Sequence, residues 1–299
     1  MTQHQHIIST ISSDKHVLIA GPTASGKSAL AIRIAQTQGG IIVNADALQV
    51  WSCWQIISAR PSPDEEMLAP HRLYGHMPAG APYSVGQWLD QIADILGGGE
   101  RLIVVGGTGL YLHALSNGLA VIPPVPDEVR ASGNALIAQP DGLERMVKEL
   151  DSATRDRIDL NNPARVQRAW EVLNATGRGI TDWQAETGPA LILASHSERL
   201  VLTSDRDWLA ERIERRFHMM MQQGALDEVR TMLPQWQPTA LWARAIGAPE
   251  LIAYLRGETS LDEAVERAII ATRQYAKSQR IFFRGRMRDW RQIRMDSAS

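Results

Sequence analysis

One cysteine, Cys53, stands among 299 residues. An internal disulfide is therefore impossible, and a cysteine-based zinc site is excluded. A reducing cytoplasm is the expected compartment. No apolar run approaches the roughly 20 residues that a helix needs to cross a bilayer. The N-terminus, MTQHQHIIST, lacks the basic-then-apolar pattern of a secretory signal. Charge of one sign is also missing in bulk. The net value is −2, so a nucleic-acid partner must be met, if at all, by a local basic surface. Internal repeats, low-complexity tracts and nicotinamide, flavin or haem motifs are absent. Nothing argues for an oligomer, and a monomer is expected.

What remains is an ordinary globular composition, 44% hydrophobic, with enough chain for one or two domains. HVLIA (16–20) reads as a short buried strand, and a helix starts near Lys27. GIIVNAD (40–46) reads as the next strand. SVGQWLDQIADIL (84–96) has helical spacing, and RLIVVGGTG (101–109) is an apolar strand running into glycines. This alternation predicts an α/β fold, a parallel sheet flanked by helices.

The texture changes at VIPPVPDEVR (121–130), where three prolines stop any regular element. From there to about residue 200 the pattern is helical. In NNPARVQRAWEVLNATG (161–177), Asn162 is the expected N-cap, Pro163 the first helical residue and Gly177 the stop. RLVLTSDR (199–206) then reads as a strand returning to the sheet. Residues 123–200 are thus expected to form a helical insertion into a core made of 1–122 and 201–299. Further on, Gly247 and Gly257 break helices. Ser260-Leu261-Asp262-Glu263 fits a capping box, with a long helix to about Arg284.

Gly21-Pro22-Thr23-Ala24-Ser25-Gly26-Lys27-Ser28 fits the phosphate-loop pattern G-x-x-x-x-G-K-[ST], with a strand before it and a helix after. Its glycines let backbone N–H groups turn onto phosphate oxygens, and the helix N-terminus adds partial positive charge. Lys27 supplies a point charge, and the Ser28 hydroxyl can hold Mg²⁺. The core is therefore expected to be P-loop NTPase-like. Yet the strand at 101–105 ends in Gly106-Gly107-Thr108-Gly109, with no acid for a nucleotide hydrolase's metal. An acid follows the earlier strand instead, at Asp46. Such a carboxylate faces the ligand crevice of an open α/β sheet and can accept a proton, or it can simply cap a helix. Thr108 is either a site residue or a polar member of a glycine turn.

After Arg267 the charges become one-sided. On a helix, Arg273, Lys277, Arg280, Arg284, Arg288 and Arg291 fall within roughly an 80° arc, provided the helix runs that far. Ala264, Ala268, Ala271, Tyr275 and Phe282 fall opposite. The cations read as a phosphate-backbone track or as a plain solvated face. Arg212, Arg215 and Arg216 cluster on another helical stretch, and Arg165 and Arg168 share a face of the insertion helix. Met219-Met220-Met221 reads as core filler.

Taken together, the motifs resemble those of the bacterial tRNA dimethylallyltransferase (tRNA isopentenyltransferase) family. AGPTASGKSALA is similar to its phosphate loop, VNADALQVW to N-A-D-S-x-Q-V-Y, and ISARPSPDE to G-T-A-K-P. PHRLYGHMPAGAPYSVGQW, VVGGTGLYLHAL, DLNNPARVQRAWEV, RIERRFHMMMQQGALDEV, RAIGAPEL and ATRQYAKSQRIFFRG follow in the family's order, from about residue 15 to 285. Ala47, Trp51 and Gly247-Ala248 depart from its usual Ser, Tyr and Gly-Tyr, which bears on RNA contacts rather than on the reaction. The zinc finger of eukaryotic relatives is absent.

The resemblance implies transfer of a dimethylallyl group from dimethylallyl diphosphate to N6 of the adenine 3′-adjacent to the anticodon of tRNA. It implies Asp46 as base, Thr108 near the reacting centre, and Arg216 with the loop and Mg²⁺ on the departing diphosphate. It also implies RNA contacts from Asp46, Ala47, Leu48 and Gln49, from Ala164, Arg165, Val166, Gln167 and Arg168, and from Arg244 and Gly247. Arg273, Lys277, Arg280 and Arg284 join them through the basic stripe. Competing readings are a relative acting on free AMP, ADP or ATP, a small-molecule kinase, and an RNA-binding protein with a relict loop.

Overall fold

The computed structural model describes residues 3–296, with side chains from residue 5 onward. Six strands form one wholly parallel sheet: β1 (His16–Ala20), β2 (Ile41–Asn44), β3 (His71–Arg72), β4 (Leu102–Gly106), β5 (Ser197–Thr203) and β6 (Arg291–Arg294). Their order is β3-β2-β4-β1-β5-β6. The chain runs out to one side of β1 and returns on the other, so the carboxyl end of β1 is the switch point where ligands bind in such sheets. The register sets Leu18 beside Val104 and Ile19 beside Leu200.

The helices of the core are α1 (Gln3–Ser9), α2 (Lys27–Gln38), α3 (Pro63–Leu68), α4 (Val85–Gly97) and α5 (Gly109–Asn117). Those of the middle segment are α6 (Asp127–Ile137), α7 (Gly142–Glu149), α8 (Ser152–Arg157), α9 (Pro163–Thr176) and α10 (Ile180–Ala185). The C-terminal part adds α11 (Arg206–Gln222), α12 (Ala225–Met232), α13 (Ala248–Leu255) and α14 (Leu261–Arg286).

Strand side chains alternate between two apolar layers, as the two-residue period of a strand requires. Val17, Ile19, Ile103 and Leu200 meet Leu30 and Ile34 of α2 on one face. Leu18, Val43, Val104 and Val201 meet a tryptophan-rich layer on the other. Trp54 and Trp88 are fully buried there, and their indole N–H groups donate to Trp242 O at 2.8 Å and Asn44 O at 2.7 Å. The second bond ties α4 to the end of β2, just before Asp46.

Contacts divide the chain into two compact units, 1–116 with 191–299, and 117–190. The second has its own core of Leu136, Met146, Leu150, Val166, Ala169 and Trp170. Asn162 caps α9 through Arg165 N at 3.2 Å, Pro163 opens it, and Gly177 ends it in the left-handed region at φ 70°. The returning strand begins at Ser197, two residues before the expected 199.

Three local expectations differ from the structure. Gly247 starts a helix rather than ending one, standing before α13 at φ 101°. Only half of the box at Ser260 forms. The Ser260 hydroxyl accepts from Glu263 N at 3.2 Å, while the Glu263 carboxylate turns to Thr259 at 2.5 Å. Finally, α14 stops at Arg286, and Arg291 belongs to β6. Arg288 and Arg291 thus leave the helical arc.

Candidate active site

The phosphate loop leaves the buried end of β1 and turns into α2. Ala24 (φ 63°) and Gly26 (φ 92°) both take the left-handed conformation. For alanine this costs roughly 1–2 kcal/mol, a strain that surrounding contacts must hold. One such contact is Arg212 Nε, which donates to Ala24 O at 2.9 Å. The loop also binds itself: Ser25 N and Lys27 Nζ both reach Pro22 O, each at 3.2 Å. A methyl group on Gly21 would meet Ser25 Oγ at 2.8 Å and Leu202 Cβ at 3.0 Å. The first-turn N–H groups of α2 have no intrahelical acceptor and form an anion-binding end. Ser25 is fully buried, and its hydroxyl is without a partner among the described residues.

Two strands away, Asn44 shapes the end of β2. Its buried amide donates to Asp46 O and Leu73 O at 3.0 Å and accepts from Asp46 N at 2.8 Å. Asp46 Oδ1 accepts from Leu48 N at 3.0 Å. This is an Asx-type turn, because residues 47–50 form a turn and not a helix. Thr108, after the neighbouring strand β4, accepts from Ala47 N at 2.9 Å. Its own N–H donates to Ala45 O at 3.2 Å. Gly106 makes this approach possible, since a Cβ there would lie 2.0 Å from Ala45 O. The threonine and the aspartate therefore come together because β4 lies beside β2 in the sheet.

Two cavities open around these groups. One, of about 700 Å³, is lined by Gly26, Lys27, Ser28, Arg60, Arg212, Arg215 and Arg216 among others. The other, of about 60 Å³, is lined by Thr23, Asp46 and Tyr275 and by apolar Leu48, Ile57, Ile213, Phe217 and Met220. Arg216 and Met220 border both. Met220 thus does more than fill the core, and its neighbour Met219 is largely exposed. Arg216 donates to the Thr23 hydroxyl. Burial pulls Lys27 down to about 8, although the Asp46 carboxylate pulls it up and Arg216 adds to the lowering. Burial likewise brings Arg216 down to about 10, again opposed by Asp46. The charges of Lys27, Arg216 and Asp46 are therefore mutually felt.

Two contributors carried no signal in the sequence. Gln279, buried on α14, accepts from Thr23 N at 2.9 Å and donates to Gly107 O at 2.9 Å. Tyr275, one turn earlier, hydrogen-bonds with Thr108 and Gln279, and burial pushes its phenol well above the usual range. Helical spacing had set Tyr275 on the packing face, without a role.

The remaining expected residues divide. Val166 is fully buried in the core of the 117–190 unit, so its side chain is closed to RNA. Its spacing to Ala169 and Trp170 puts it on the apolar face of α9. Gln167 is tied to Asn134 at 2.7 Å and Glu171 at 2.9 Å, whereas Ala164, Arg165 and Arg168 are exposed. Gln49 uses its amide N–H groups on Ser58 O and Ala59 O, at 2.9 and 2.8 Å, bracing the wall of the cavities. Arg244 is exposed and Gly247 buried. Arg273 is paired with Glu214 at 2.7 Å, and Lys277 is exposed. Arg280 and Arg284 line a third cavity of about 450 Å³, together with Arg206 and Arg294. Arg215 is paired with Glu211.

Residues 49–286 match the family described as IPP transferase, and residues 15–77 match that described as isopentenyl transferase. The chain is 64% identical over 298 residues to a tRNA dimethylallyltransferase of Paracoccus denitrificans (strain Pd 1222), covering 98% of this chain and 99% of that one. It is 58% identical to one from Dinoroseobacter shibae (strain DSM 16493 / NCIMB 14021 / DFL 12), covering 97% and 98%. Among solved structures, a eukaryotic dimethylallyltransferase acting on tRNA superposes with a TM-score of 0.78 at 27% identity, covering 94% of this chain and 74% of that one. A tRNA isopentenylpyrophosphate transferase from Staphylococcus epidermidis gives 0.65 at 28% identity, covering 95% of each.

Proposed function

The chain belongs to the IPP transferase family and is similar to these tRNA dimethylallyltransferases over nearly their whole length, and we propose that it moves a dimethylallyl group from dimethylallyl diphosphate to N6 of the adenine 3′-adjacent to the anticodon of tRNAs. The carbon–oxygen bond of the donor breaks as the nitrogen–carbon bond forms. The electron pair of the broken bond leaves on diphosphate, and N6 gives up one proton. Asp46 receives it in this reading. The carboxylate also opposes delocalisation of the amine lone pair by accepting its N–H.

The observation that carries this reading is the wall shared by the two cavities. On one side of Arg216 lie the loop, Lys27 and Ser28, which suit an anion. On the other lie Asp46 and the apolar Ile57, Ile213 and Phe217, which suit a hydrocarbon group and a base-bearing acceptor. A phosphoryl acceptor of a kinase would have little use for that apolar lining. Donors aimed at a leaving group stabilise it as its charge grows, each worth roughly 3 kcal/mol. Lys27, Arg216 and the α2 N-terminus fill this role, with the Thr23 hydroxyl anchoring Arg216. The adenine must be unstacked to reach the smaller cavity, as other base-modifying enzymes require.

Mg²⁺ fits the donors present. Ser28 offers an exposed hydroxyl oxygen on the first turn of α2, and no cluster of three or more His, Cys, Asp or Glu residues occurs among the described residues. That is the donor set of an ion held mainly by substrate phosphates and one or two protein oxygens. When bound, it would neutralise charge on the diphosphate, with Ser28 holding it. Exposed Arg165, Arg168 and Arg244 are proposed to meet RNA phosphates. No helix among the described residues is long and apolar enough to cross a membrane, and a tRNA substrate suits the cytoplasm.

The test is to incubate the protein with labelled dimethylallyl diphosphate, Mg²⁺ and either tRNA or AMP. Label on tRNA alone is expected. Label on AMP moves the protein to the free-nucleotide class, and label on neither defeats the reading.

A further inference from the structure

The two halves of the site sit on loops that follow different strands. The diphosphate side is the loop after β1, through Thr23. The amine side is the pair Asp46 and Thr108, after β2 and β4. Transfer needs a fixed distance between them, because misplacement of reacting groups by about 1 Å can cost about 10²-fold in rate. Backbone pairing of β1 with β4 ends at Ala20 and Gly106. Beyond those residues the sheet no longer holds the loops in register.

The side chain of Gln279 spans this gap. Its Oε1 accepts from Thr23 N at 2.9 Å, and its Nε2 donates to Gly107 O at 2.9 Å. These partners lie 256 and 172 residues away in sequence. Gln279 is only 5% exposed; its bond to Gly107 O is buried, out of competition with water, and its bond to Thr23 N is part-buried. The fit is close on every side. A methyl group on Gly107 would meet Gln279 Nε2 at 2.2 Å and Asp46 Oδ2 at 3.1 Å. Thr23 in turn receives Arg216 on its hydroxyl. Gly107 immediately precedes Thr108. One amide therefore touches the chain next to each half of the chemistry, yet lines neither of the two cavities of the site.

We propose that Gln279 is a positioning residue, the brace that holds the diphosphate-binding loop at its working distance from Asp46 and Thr108. This deepens the transfer reaction proposed above and rests on it for its kinetic part. Within the amide, the acceptor arm fixes the cradle and the donor arm fixes the amine side. Neither arm contacts donor or acceptor substrate.

Two substitutions separate brace from filler. Gln279→Met keeps the volume and removes both arms. Gln279→Glu keeps the acceptor arm to Thr23 and removes the donor arm. In Gln279→Met, kcat should fall about 10²-fold, while KM for dimethylallyl diphosphate and Kd for tRNA stay within threefold. A KM rise with unchanged kcat, or full activity per folded molecule, would overturn the proposal. Hydrogen exchange gives a readout that needs no turnover. Protection of the Thr23 amide should be lost in Gln279→Met and kept in Gln279→Glu, and equal protection in both variants also overturns it. If the wild-type protein transfers nothing to tRNA, the functional reading fails, and the exchange measurement still decides the role of Gln279.

Discussion

Arg216 on α11 donates to the hydroxyl of Thr23 in the phosphate loop, across 193 residues of sequence. The bond seats a guanidinium at the boundary between the two cavities, where the carbon–oxygen bond of the donor would break. Arg216→Ala should lower kcat by about 10²–10³-fold, the usual effect of removing one preorganised donor. Thr23→Ala, which loses only the anchor, should cost less. Steady-state kinetics on both variants checks the order, and an equal or greater loss in Thr23→Ala would show that the hydroxyl itself meets the phosphate.

Lys27 gives a pH dependence with a defined sign. Burial holds it down to about 8, so the free site loses this charge as pH rises through that value. Inorganic pyrophosphate should bind more weakly at pH 9 than at pH 7 by calorimetry, beyond any change seen with Lys27→Arg, which stays charged across the range. Stability runs the other way. The unfolded chain keeps the lysine proton up to about 10.5, so this group's contribution to stability rises with pH between about 8 and 10.5. Identical pH profiles for the two proteins would remove Lys27 from the cradle.

Asp46 can be tested without disturbing its turn. Asp46→Asn keeps an oxygen for Leu48 N, which the carboxylate now accepts at 3.0 Å. Transfer should fall by about 10²–10⁴-fold, the range for a lost general base. Binding of tRNA should change less than tenfold in a filter or gel assay. Near-normal turnover would assign the proton to another group.

Arg280 and Arg284 line a cavity with Arg206 and make no ion pair among the described residues. If they meet RNA phosphates, each change to Ala should weaken binding and reduce the log–log salt slope by about one. Arg273 is already paired with Glu214, so Arg273→Ala should move the slope less. A salt slope unchanged in Arg280→Ala and Arg284→Ala would return these residues to solvent-facing charge.

What the sequence made legible was local. The phosphate loop is recognisable from eight consecutive residues, although its bracing partners are distant, and Asp46 follows its strand directly. The caps at Asn162 and Ser260 were readable for the same reason. Gln279 and Tyr275 were not, because a glutamine and a tyrosine on a helix have no local mark when their partners lie in loops far away in sequence. The basic stripe was half legible. Spacing identified a face through Arg284, but the end of α14 after Arg286 depends on Met287 and Trp290 turning into the core, which periodicity does not reveal. Val166 was the reverse case. Its motif pointed to RNA, while its spacing placed it inside.

The brace from α14 has a consequence for synthesis. Loop, aspartate and threonine emerge from the ribosome well before the side chain proposed to join them, which follows Thr23 by 256 residues and Gly107 by 172. A nascent chain that has already formed β1, β2 and β4 carries the loop, Asp46 and Thr108, but not the amide proposed to fix the spacing between them. Competence should therefore arrive late and all at once, with the docking of the last long helix, so that incomplete chains are spared from modifying RNA badly.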